Sequence, residues 1–141
     1  MPDSSDPALD LADWQLRWRE FVLECAGAGR DEEVDMLRAA IDLLALAPRD
    51  LRAQLGTLPD AGWVDGAIAA RAVAAVALDL LDGWAGYMLS HGRGGPHMAT
   101  VAVRSGREAS AEGATATLAL LGALAQALAQ AKQGARTESL N

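Results

Sequence analysis

An all-α fold, a small helical bundle of about four main helices plus one short helix, is what this sequence predicts, on three observations. Alanine and leucine dominate, whereas aromatic residues make up 4% of the chain and β-branched residues are scarce, a balance that favours helix over sheet. Apolar side chains recur at helical spacing in most of the segments bounded by glycine or proline. Finally, residues 113–131, GATATLALLGALAQALAQA, contain no charged side chain between Glu112 and Lys132, which marks them as the central helix of the bundle.

Taken in order, residues 1–6 are polar and read as a flexible N-terminus. Asp6 followed by Pro7 fits a helix start, an acidic cap with proline in the first turn, so the first helix is expected over 7–26. Leu11, Trp14, Trp18, Phe21, Val22 and Cys25 share one face of it, and Asp10, Asp13, Arg17, Glu20 and Glu24 another. Leu9, Leu16 and Leu23 add a second stripe, wide enough for contact with two neighbours. Gly27 and Gly29 end this helix. Asp31, Glu32 and Glu33 then open a second one, with negative charge at the end where the helix dipole favours it, and Val34, Leu37, Ile41 and Leu44 supply its apolar repeat.

Pro48 stops the second helix and opens a short third one with Leu51 and Leu55 facing inward. After the Leu58-Pro59-Asp60 turn, a long fourth helix is expected from about residue 62 to 89, burying Val73, Val76, Ala77, Leu80, Leu81, Trp84, Tyr87 and Met88. At 1.5 Å per residue it would span roughly 37 Å. The Gly-rich run 91–97 breaks the chain. Residues 98–103 alternate like a strand, but no second strand is evident, so they read as an extended connector. Ser105 and Glu108 have the spacing of a capping box, which starts the final helix there and carries it through 113–131. The organisation is therefore one helical domain over 7–133 and a flexible tail over 134–141.

The 141 residues are enough for a single core without disulfides or metal, and the formal charge of −7 is concentrated in the first 60 residues. That field repels nucleic acid and anionic lipid, which argues against direct binding to either, although Arg104 and Arg107 could form a local basic patch. A membrane span is not expected in 113–131, because Gln126 and Gln130 would lie in hydrocarbon among only five leucines. Asp3 and Asp6 stand where a signal peptide needs basic residues, and Cys25 is the single cysteine. The expected location is cytoplasmic.

The sequence carries no phosphate-binding loop, nucleophile elbow, paired-cysteine zinc pattern, HExxH helix or calcium loop. No catalytic, cofactor-binding or metal-ligating residue is assigned, no cofactor is implied, and the balance leans against an enzyme. One loop holds both histidines: His91, Arg93 and His97 could meet an anion or a metal. Cys25 lies among apolar neighbours and beside Glu24, which makes it a poor nucleophile. On the side of the central helix opposite its leucines lie Ala119, Gly122, Ala123, Gln126 and Gln130. These small or neutral residues admit close approach by another helix or by another subunit. Trp14 and Trp18 read as core, or as a binding hot spot if exposed. The function these features favour is that of a non-enzymatic helical protein acting through protein–protein contacts, as a self-associating structural subunit or an adaptor, with a protein partner or a homo-oligomer. Two alternatives stand beside it: an acidic inhibitor or decoy presenting Asp31, Glu32, Glu33 and Asp35 to a basic surface, and a small enzyme or metal-binding protein using the His91–His97 loop.

Overall fold

A computed structural model of the chain describes residues 7–104 and 107–130. Its elements in order are the helices α1 (Leu11–Gly27), α2 (Glu33–Ala45), α3 (Arg49–Arg52), α4 (Ala61–Ala69) and α5 (Val73–Leu81), the strands β1 (Ala85–His91), β2 (His97–Val103) and β3 (Glu108–Gly113), and the helix α6 (Ala116–Gln130). The strands form one antiparallel sheet in the order β1-β2-β3. The fold is therefore α+β, and the expectation of an all-α bundle is overturned by this sheet. Among the described residues no helix is long and apolar enough to cross a membrane.

The first half of the chain follows the periodicity closely. α1 is capped by Asp10, whose carboxylate accepts from the Asp13 N–H at 2.9 Å, one turn later than the expected cap at Asp6, a residue outside the described segments. Its buried face is Trp14, Gln15, Trp18, Phe21 and Cys25. Trp18 makes edge-to-face contacts with both Trp14 and Phe21. A single 3-10 turn over Arg30–Glu32 leads into α2, and the Glu32 carboxylate accepts from the Gly29 N–H at 2.8 Å.

The second half departs from the prediction in three places. The long helix expected to residue 89 is cut at Arg71, which adopts a left-handed conformation (φ 63°), and ends for good at Gly83 (φ 88°). A left-handed residue cannot propagate a right-handed helix. Beyond Gly83, residues 85–91 pair with 97–103 across the Gly-rich loop, with Tyr87 opposite Val101 and Leu89 opposite Ala99. Residues 98–103 are thus the middle strand of a sheet rather than a lone connector. The final helix does not begin near residue 105, which lies outside the described segments. Glu108 opens β3, and the helix N-terminus is held by Thr115, whose Oγ1 accepts from the Leu118 N–H at 3.1 Å.

α6 is the centre of the molecule. It lies between α1 on one side and β2 and β3 on the other, with α2 and α5 alongside, and Leu118, Leu120, Leu121, Leu124 and Leu128 are all buried. Each such side chain contributes roughly 1.5–3 kcal/mol by leaving water, an upper bound because a real unfolded chain already hides part of that area. Two glycines set how closely its neighbours approach. A Cβ on Gly122 would meet Ala111 Cβ at 3.3 Å and Cys25 Cβ at 3.7 Å, and one on Gly113 would lie 2.5 Å from the Ala119 nitrogen. β3 therefore delivers the chain directly against the first turns of α6.

Candidate functional site

Most of the residues expected to form an interface on the central helix pack inside the chain. Ala119, Gly122 and Ala123 are buried, Gln126 is half-buried, and Gln130 is exposed at the last described turn. Trp14 and Trp18 are fully buried. The Trp14 Nε1–H donates to the Leu43 carbonyl at 2.7 Å, and Gln15, next to it, donates to the Leu128 carbonyl at 3.1 Å. The second stripe on α1 divides: Leu9 packs against the core, whereas Leu16 and Leu23 face outward.

The histidines come together at the loop end of the β1–β2 hairpin. His91 and His97 are register partners, and their rings stack with centroids 3.8 Å apart and planes within 11°. Stacked rings direct their in-plane lone pairs side by side and not at a common point, which is poor chelating geometry. Among the described residues no group of three histidine, cysteine or acidic side chains could hold a metal ion. Arg93 lies exposed in the loop beyond the pair. The acidic residues Asp31, Glu32, Glu33 and Asp35 open the 3-10 turn and α2, where Glu32 is engaged in capping. Cys25 is buried, and burial, with the Glu24 charge adding to it, pushes its thiol up from 9.0 to about 12.

The surface that stands out is β1. Ala99, Val101 and Val103 of β2 point inward to the core, so the register places Ala85, Tyr87, Leu89 and His91 on that same side of the sheet, and Gly86, Met88 and Ser90 on the other. α6 covers β2 and β3 but touches β1 only at its margin. Tyr87 and Leu89 consequently remain 46% and 41% exposed, while Met88 is 72% exposed and Met98 of β2 adds 42% beside it. Among the described residues no strand pairs with the outer edge of β1.

Edge strands of folded proteins are ordinarily blunted by charge, proline, bulges or shortness. The opposite edge of this sheet follows that rule, since β3 begins at Glu108 and carries Glu112, both exposed. β1, with the sequence AGYMLSH, has seven residues and none of Asp, Glu, Lys, Arg or Pro. Sequence reasoning missed it because Leu80, Leu81, Trp84, Tyr87 and Met88 also satisfy a helical period. The available signal was the pair of apolar runs flanking a five-residue Gly/Pro loop, which is the pattern of a hairpin.

The fold and this edge define a helical α+β protein with an open, apolar sheet margin. Compared with known proteins, the chain matches no family model, no curated protein and no solved structure.

Proposed function

We propose that this protein works by protein contact and that the contact is made through the free edge of β1. The observation that carries this reading is the exposure of Tyr87, Met88 and Leu89 on an uncharged seven-residue edge strand. Such a strand presents a row of unpaired backbone N–H and C=O groups, and an added strand gains main-chain hydrogen bonds from that row and specificity from alternate side chains. Tyr87 and Leu89 are exposed on one face of this strand and Met88 on the other, so an added strand would find apolar side chains on both of its sides. The acidic turn before α2 and the stacked histidines have no comparable feature in their favour.

The test is site-specific photocrosslinking in the native host, with a benzophenone amino acid at Tyr87 and, as control, at Glu112 on the opposite edge. A covalent protein adduct from position 87 and none from position 112 is expected. No adduct from position 87, or equal adducts from both, would overturn the reading.

A further inference from the structure

We infer that the occupant of this edge is β1 of a second copy of the chain, paired antiparallel about Met88, so that two three-stranded sheets become one sheet of six strands. The inference rests on the protein-contact reading above and names its partner.

Charge is the first argument. Two copies that each carry −7 repel over most approaches. The β3 edge would set Glu108 and Glu112 of one copy against the same residues of the other, and like charges directly opposite one another destabilise a strand pair. β1 is the sheet edge where two copies meet without that penalty.

Side-chain geometry is the second. In this register Tyr87 stands opposite Leu89 of the second copy and Leu89 opposite its Tyr87, an aromatic–aliphatic pairing that suits antiparallel neighbours. Both pairs lie on the side of the sheet facing α6, along the strip that α6 leaves uncovered. Met88 meets Met88 on the other side, flanked by Met98. A symmetric contact of this kind is self-complementary by construction.

Area fixes the strength. The contact is confined to one seven-residue strand with three large apolar side chains, Tyr87, Met88 and Leu89, well short of the ~800 Å² per partner that a standard stable interface buries. The association is therefore a reversible monomer–dimer equilibrium and not an obligate dimer.

Sedimentation velocity of the full chain, from about 10 μM to about 1 mM, is expected to show a rising dimer fraction, and Met88→Lys is expected to remain monomeric with an unchanged circular dichroism spectrum. Register is read by disulfide trapping. Met88→Cys alone should oxidise to a covalent dimer, because directly opposed residues have Cα atoms about 4.5–5.5 Å apart. Gly86→Cys alone and Ser90→Cys alone should not, whereas a mixture of the two should crosslink. The buried native Cys25 does not compete. A wild-type chain that stays monomeric throughout, or single cysteines at 86 and 90 that trap as well as 88, would overturn the inference. If the Tyr87 crosslinker then captures a different protein, the protein-contact reading survives alone; if it captures nothing, both fall.

Discussion

Gly113 shows how narrow the tolerances are at single positions. The nearest atoms to a Cβ there would be the Ala119 nitrogen at 2.5 Å, the Leu118 carbonyl carbon at 2.9 Å and the Ala119 Cα at 3.0 Å, all of them backbone of α6. Helix backbone cannot rotate aside as a side chain can, so the strand and the helix must separate. Gly113→Ala is expected to cost about 3 kcal/mol, the upper end of the ordinary range for overpacking, measured as a shift of the urea midpoint with an unchanged slope. Cys25 gives a second expectation at this scale. Its folded thiol is raised to about 12 from 9.0, so between those values the unfolded chain loses the proton while the native chain keeps it. Stability from this group is complete below pH 9 and declines by about 1.4 kcal/mol per pH unit as pH rises through that window. Chemical denaturation of wild type and Cys25→Ala across pH 8 to 11 isolates the effect: the stability difference between the two should shift against the wild type above about pH 9.

At the scale of elements, what the sequence could reveal depended on whether local pattern and tertiary contact agreed. α1 and α2 were legible because their apolar repeats match the faces they bury, and the acidic run before α2 matched the dipole at a helix start. The segment from Leu80 to Leu89 was ambiguous, since its large apolar residues fit a helical period and an alternating strand alike. The decision falls at Gly83, whose positive φ turns the chain out of α5. β3 was the least legible element: Glu108-Ala-Ser-Ala-Glu112 is made of residues with little strand preference. It is extended because β2 offers a ladder on one side and α6 an apolar surface on its face, with Ala109 opposite Val101 and Ala111 opposite Ala99. The candidate site inherited this blindness. An interface on the small-residue side of the central helix was a sound inference for a bundle, but the missing sheet needed that side for itself.

At the scale of the whole molecule, protection should be graded outward from α6. Twelve of its fifteen residues are buried, whereas every residue of β1 after Ala85 is exposed. Hydrogen exchange follows the free energy of local opening. The slowest amides of the described chain are expected in α6, and among regular elements the fastest in the outward-facing half of β1. Equal protection of the two at low protein concentration would contradict this architecture. A rise in β1 protection with concentration, and nowhere else, would report the same edge becoming occupied.

The position of α6 in chain order has a consequence for synthesis. Gln15 on α1 holds the Leu128 carbonyl across 113 residues of sequence, and α6 follows every other described element. Trp14, Trp18 and Phe21 thus emerge from a ribosome long before the surface that will cover them. At roughly 5–20 residues per second, α1 waits several seconds or more with its apolar face open. The strands and α6 lie close together in the chain and need only short loop closures, so they are the half that can form at once; the N-terminal helices then dock onto a finished wall. Until α6 has been made, the N-terminal helices of a growing chain are helices in search of a core, and their exposure to aggregation and to chaperones is greatest before residue 116 has been added.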